Sequence, residues 1–168
     1  MRLYVDASPL YNLGQTGALD VLLAPDWKLV VLPGVRDEIT VEPAKTNLTQ
    51  FLDENPVRTV PPDDEWLDEA TKLLDGETVH SDVHLIGGLL GDRANGIDTA
   101  LVSDDRRMRA VGEALGSTVT GTFGVIVRAS LDDKYFSTAQ LKRLVRRVDH
   151  HGVQMTGTLR ERAVGSVE

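Results

Sequence analysis

Several acidic residues in this chain stand where metal chemistry would need them. Asp6 follows the short apolar run Leu3-Tyr4-Val5, and Asp104-Asp105 follow Ala100-Leu101-Val102 with Ser103 between. Both runs read as buried strands that stop on carboxylates. Two further acids lie between them in the chain. Glu38 comes after the apolar run 27–32, and Asp82 stands at the head of a helical stretch. Carboxylates gathered around one cleft repel, and each raises its neighbour's pKa. No Lys or Arg is placed among them in these segments to neutralise them. A hard divalent cation would remove the conflict. Mg²⁺ or Mn²⁺ prefers carboxylate and water oxygens, and a donor set without His or Cys is what such ions choose. An ion held this way activates water and offsets charge on a phosphodiester under attack.

The elements that must position these acids follow from apolar patterning. Residues 2–6 and 27–32 read as strands, the second apolar almost throughout, as in a parallel sheet covered on both faces. Residues 99–102 form a third strand and 117–120 a short fourth, with another short strand expected over 57–60. Helices are expected from Ser8-Pro9, over 16–23 up to Pro25, over 35–40, weakly over 43–52, from Pro61 to Gly76, over 80–91, around Met108, Val111 and Leu115, and over 123–131. A last helix follows the capping box Ser137-x-x-Gln140, with Leu141, Leu144, Val145 and Val148 on one face. Strands alternating with helices indicate an α/β domain with a central, mainly parallel sheet of four to five strands. In open sheets of this kind ligands bind outside the carboxyl ends of the strands. Asp6 and Asp104-Asp105 therefore face one edge. Glu38 is expected within the helix after the second strand, and Asp82 one turn before Ile86 on the inner side of its helix.

The totals agree with such a domain. A chain of 168 residues with 41% hydrophobic residues suits one folded domain. We expect it over 1–150, with 151–168 a C-terminal extension whose last residues fray. No run of about 18 apolar residues and no leader pattern is present, so a cytoplasmic protein without a membrane segment is expected. Cysteine is absent, which excludes disulfides and thiolate metal sites. The net charge is −8 but uneven: residues 1–105 hold 20 acids against 7 Lys or Arg, and residues 106–168 hold 6 against 11. The acidic total argues against a general nucleic-acid coat, while the split permits a basic surface beside an acidic pocket. Lys is scarce, 5 against 13 Arg, which with the many acids agrees with adaptation to high salt.

Taken singly, each acid has a plainer use. Asp6, Asp104 and Asp105 can cap helices, Asp82 can complement a helix dipole, and Glu38 can be solvated. Their order and settings together resemble the PIN-domain proteins, most of all the VapC-like ribonucleases of archaeal type. The resemblance runs from residue 2 to about 130 through five motifs: Val5-Asp6-Ala7-Ser8-Pro9-Leu10, Leu32-Pro33-Gly34-Val35-Arg36-Asp37-Glu38-Ile39, Gly76-Glu77 through Ser81-Asp82-Val83-His84-Leu85-Ile86, Leu101-Val102-Ser103-Asp104-Asp105-Arg106-Arg107-Met108, and Val119-Thr120-Gly121-Thr122-Phe123-Gly124-Val125. It implies a three-layer α/β/α fold and Mg²⁺- or Mn²⁺-dependent endonucleolytic cleavage of single-stranded RNA. By the same resemblance Asp6, Glu38, Asp82 and Asp105 are the catalytic and metal-binding acids, with Asp104 a close alternative to Asp105. Ser8 would hold a carboxylate or a water by hydrogen bond, with Ser103 and Glu77 in support. Toxin members of the family pair with a small antitoxin protein, and homodimers are common. In the related subfamily Gly-Glu-x-Glu opens the third motif, whereas Gly76-Glu77-Thr78-Val79-His80 keeps only the first Glu. Either Glu77 or Asp82 is then the third ligand, and the helical position favours Asp82.

Basic residues supply the expected nucleic-acid contacts. Arg106, Arg107 and Arg109 lie just beyond the fourth-motif acids and suit guidance of an RNA backbone. Lys142, Arg143, Arg146 and Arg147 decorate the last helix opposite its apolar face, as a solvated surface or as phosphate contacts with salt-dependent affinity. His80 and His84 have zinc-compatible spacing but lack the H-E-x-x-H context, and read as solvated or supporting histidines. Aromatics are only 5%, so no stacking platform is expected. No phosphate-binding glycine loop is present. Two other readings stay open: a non-catalytic PIN-like RNA- or protein-binding module with its acids as caps, and a structure-specific DNA nuclease. Mn²⁺ titration separates the first from the nuclease, and RNA against DNA substrates the second.

Overall fold

Leu3, Tyr4, Val5, Ala100, Leu101 and Val102 are all buried, because their two strands lie side by side at the centre of a sheet covered on both faces. The structure is a computed structural model and describes residues 1–76, 80–131 and 137–150. Strands β1 (Arg2–Val5), β2 (Lys28–Val30), β3 (Thr99–Val102) and β4 (Thr118–Thr120) form one parallel sheet in the order β2-β1-β3-β4. The chain leaves β1 in one direction to reach β2, then crosses back over β1 to β3. The switch of direction therefore falls between β1 and β3, where open α/β sheets leave a crevice at their carboxyl edge.

The helices are α1 (Ala7–Gln15), α2 (Pro33–Arg36), α3 (Ala44–Glu54), α4 (Asp64–Leu73), α5 (His80–Ala94), α6 (Arg106–Ala114), α7 (Thr122–Leu131) and α8 (Thr138–His150). Helix α1 packs on α3 and α7, and α8 packs on α7. Helix α5 packs on α2, α4 and α6. With the sheet these two groups make the three-layer α/β/α arrangement that the sequence predicts. Among the described residues no helix is long and apolar enough to cross a membrane.

Helix α5 can lie close to β1 because its inner positions are glycine. A Cβ at Gly88 would stand 2.6 Å from Tyr4 Cε1, and one at Gly87 would stand 3.2 Å from the Trp66 carbonyl oxygen. The Tyr4 hydroxyl donates to Asp92 Oδ2 at 2.7 Å, and Arg2 pairs with Asp92. This polar anchor ties the C-terminal half of α5 to the start of the sheet. Its other end is thereby held at the carboxyl edge.

Several expected boundaries shift. Residues 16–23 contain only a 3₁₀ turn, Leu19–Leu23, since Leu19 and Leu22, three apart, align on one side in that winding and are both buried. Residues 57–60 form no strand and make a single bridge, Val30 to Arg58. Helix α5 continues to Ala94. The helix expected over 35–40 is the short α2, capped by Asp37, because the chain bends there to bury Ile39. Glu38 consequently lies beyond the helix, exposed, and not inside it.

Candidate active site

Val5 pairs with Val102, so one step further along the two strands Asp6 meets Ser103. The Asp6 backbone N–H donates to the Val102 carbonyl at 2.9 Å, which extends the ladder to this point. The Ser103 hydroxyl donates to Asp6 Oδ2 at 2.6 Å, and the Ala7 N–H donates to Oδ1 at 2.7 Å. Asp6 is thus both the N-cap of α1 and a buried carboxylate at the switch point. A carboxylate has about four lone-pair sites, so these two bonds leave capacity for a further partner. Burial pushes its pKa up, the bonds from Ser103 and Ala7 push it down, and the charges of Asp105 and Glu38 push it up again.

Asp82 enters from the first turn of α5, half-buried. Burial, then the charges of Asp6, Asp105 and Glu38, raise its pKa to about 6, against a small lowering by Arg107. The charges of Asp105 and Glu38 act on both Asp6 and Asp82, so acids distant in sequence lie near one another at this edge. Asp6, Asp105 and Glu38 are each fixed by hydrogen bonds. Asp105 caps α6 by accepting from the Met108 N–H at 2.9 Å, and its own N–H donates to Ser103 Oγ at 3.1 Å. Glu38 Oε1 accepts from the Ser81 hydroxyl at 2.5 Å, joining the end of α2 to the start of α5.

The two neighbours Asp104 and Asp105 part company. Asp104 Oδ1 accepts from the Thr122 N–H at 2.8 Å, and its Oδ2 accepts from the Thr122 hydroxyl at 2.6 Å and from Asn12 Nδ2 at 3.4 Å. It binds the start of α7, and it is Asp105 whose charge acts on Asp6 and Asp82. Ser8 is exposed, and the hydroxyl that holds Asp6 belongs to Ser103. Glu77 lies outside the described residues.

Among the basic residues, Arg107 lies close enough for its charge to reach the acids. It acts on the Asp82 charge, and its Nη2 donates to the Leu74 carbonyl at 3.2 Å. The fourth motif thus brings a positive charge to the edge of the acids, where the sequence expected its arginines. Arg106 is exposed and Arg109 partly buried on the same helix. On α8, Arg143 and Arg146 are exposed and Lys142 is partly so. Arg147 donates to the carbonyl of Thr16, the C-cap of α1, at 3.1 Å. At 1.5 Å per residue that end of α1 is about 15 Å from Asp6, so this part of α8 lies away from the acids. The His80 and His84 rings lie 4.1 Å apart, centroid to centroid, tilted by 48°, and pack on Gly34, whose N–H donates to His84 Nδ1 at 3.4 Å. Burial, then the nearby His80, lowers the pKa of His84.

Ser81 and Thr122 are the functional supports that sequence reasoning missed. Their hydroxyls matter only through partners 43 and 18 residues away, a separation no local pattern encodes.

A sequence profile of the PIN domain matches residues 3–168. The chain belongs to the PIN-domain family. No curated protein and no solved structure matches it. PIN domains are generally nucleases and typically use divalent metal ions, so the family points to a nuclease-type hydrolase. Among the described residues no three His, Asp or Glu side chains close around one point by themselves. The PIN-domain acids still fit a hard ion, because Mg²⁺ keeps several waters and takes one or two carboxylates together with substrate phosphate. The all-oxygen donors and their mutual repulsion are the chemistry such an ion requires.

Proposed function

We propose that this PIN-domain protein is a Mg²⁺- or Mn²⁺-dependent endoribonuclease that cleaves single-stranded RNA. The observation that carries the proposal is the joining of Asp6 and Asp105 through Ser103 at the carboxyl ends of β1 and β3: the Ser103 hydroxyl donates to Asp6 Oδ2 at 2.6 Å and accepts from the Asp105 N–H at 3.1 Å. Four acids that repel at neutral pH favour a bound cation. Asp6 and Asp105 would hold the ion directly, and it would supply an activated water and offset charge on the phosphodiester under attack. The chain's own residues set the geometry for it. Ser103 fixes the rotation of the Asp6 carboxylate, the Met108 N–H fixes Asp105, and Ser81 fixes Glu38. Glu38 and Asp82 would bind the ion directly or through water and help to orient the attacking hydroxide. Arg107, with Arg106 beside it, offers positive charge to the backbone phosphates.

The same reading carries a cytoplasmic setting, a homodimer and, as for toxin members of the family, a small antitoxin protein as partner. Light scattering on the purified protein tests the dimer, and co-purification from its native cells tests the antitoxin. The cleavage assay is direct. A labelled single-stranded RNA is incubated with the protein in Mg²⁺ or Mn²⁺, in EDTA, and with Asp6→Asn. Cleavage in metal only, and by the wild type only, supports the proposal. Cleavage of DNA alone would move the activity to a DNA nuclease. Absence of both cleavage and Mn²⁺ binding by calorimetry would leave a binding module.

A further inference from the structure

We infer that a groove beside the acids takes one unpaired base of the nucleic-acid strand, stacked on Tyr11. Its volume is about 230 Å³, and it is lined by Ala7, Ser8, Tyr11, Asn12, Glu38 and Ile39. Ala7, Ser8, Tyr11 and Asn12 come from the first turns of α1, directly after Asp6, and their spacing of three and four residues puts them on adjoining faces. Glu38 is shared between this groove and the acid cluster, so the two are continuous. Among the exposed large apolar side chains of the described residues, Tyr11 is the only aromatic, with 37% of its surface accessible.

The lining decides which part of a nucleotide fits. No Lys or Arg lines the groove, and Glu38 places a negative charge on its rim, so a phosphate is disfavoured. A base is neutral and flat, with an apolar face and a polar edge. The Tyr11 ring, Ala7 and Ile39 offer apolar surface to the face. Ser8 and Asn12 offer hydroxyl and amide groups to the edge. The volume lies below the roughly 300–1,000 Å³ of pockets that hold larger ligands, which agrees with a single base. The phosphate attached to that base would then lie toward Asp6 and Asp105, with Arg106 and Arg107 beyond. A duplex would keep its bases stacked and unavailable, so the slot selects single strands.

The inference rests on the nuclease reading for its substrate, and the test separates the two. Binding of a fluorescent single-stranded oligonucleotide with a non-hydrolysable backbone is measured in Mg²⁺, so that the acids are offset and no cleavage occurs. Base–aromatic stacking contributes about 1–3 kcal/mol, so Tyr11→Ala should weaken binding roughly 5- to 150-fold while Tyr11→Phe binds as the wild type. An oligonucleotide carrying 5-bromouracil should cross-link under light to the peptide containing Tyr11. Equal binding by Tyr11→Ala and the wild type, no oligonucleotide binding at all, or cross-linking elsewhere would overturn the slot. Metal-dependent cleavage that persists unchanged in Tyr11→Ala would overturn it and leave the nuclease reading standing. Binding that depends on Tyr11 without cleavage in any metal would do the reverse.

Discussion

Ser103 and Asp6 are 97 positions apart in sequence and 2.6 Å apart in the fold, hydroxyl to carboxylate, one step beyond the paired ends of β3 and β1. The bond keeps a buried charge from standing without support. Ser103→Ala should lower metal affinity and cleavage about 10- to 100-fold, the usual effect of removing a group that orients a ligand. Calorimetric metal titration beside a cleavage assay checks this, and unchanged values in both would deny Ser103 that role.

Asp6→Asn and Asp105→Asn separate chemistry from capping. Asn caps helices about as well as Asp and removes a charge from the repelling acids, so in EDTA both variants should melt at or above the wild-type temperature while cleavage is lost. Asp105→Ala should additionally lose about 1 kcal/mol of stability, because the Met108 N–H then has no acceptor. Circular dichroism melts paired with the RNA assay distinguish the three.

Asp82 should make the metal-free protein less stable as pH rises. Its carboxyl holds a proton up to about pH 6 in the folded chain but only to about its ordinary 3.8 when unfolded. The folded state binds more protons in that window, so stability falls as pH climbs from 3.8 to about 6 and then levels. Melts in EDTA at pH 4.5 and pH 7 should show the loss, and Asp82→Asn should flatten it. Added Mn²⁺ should raise the melting temperature more at pH 7 than at pH 5, since protons compete with the ion for the acids.

Asp104→Ala tests the division of labour with Asp105. Thr122 loses the acceptor for both its N–H and its hydroxyl, so urea unfolding should report a loss of about 1–3 kcal/mol. Metal affinity should change far less than in Asp105→Asn. A metal-binding loss as large as that of Asp105→Asn would put Asp104 among the ligands.

Gly88→Ala probes the contact that aims α5. Its Cβ would press on the Tyr4 ring at 2.6 Å, and an overpacked core of this kind costs about 1–3 kcal/mol. Denaturation should show the loss, and cleavage per folded molecule should fall as well, because Asp82 rides on the same helix.

The fold class was legible because a parallel sheet covered on both faces demands continuous apolar runs, and Leu3-Tyr4-Val5 and Ala100-Leu101-Val102 are such runs ending on acids. Composition and patterning likewise put Asp6 and Asp105 on one edge, since parallel strands all point the same way. Local pattern could not place Glu38, which lies one residue past the C-cap of α2, where the turn carries Ile39 into the core. Nor could it choose between Asp104 and Asp105, adjacent and chemically identical. Only the packing of α7 against the sheet edge supplies Thr122 to claim the first, leaving the second to meet Asp6 and Asp82. The sequence by itself determined which acids exist and which strands carry them. The tertiary structure alone decided which carboxylates share a dielectric neighbourhood, because that depends on distances between segments dozens of residues apart.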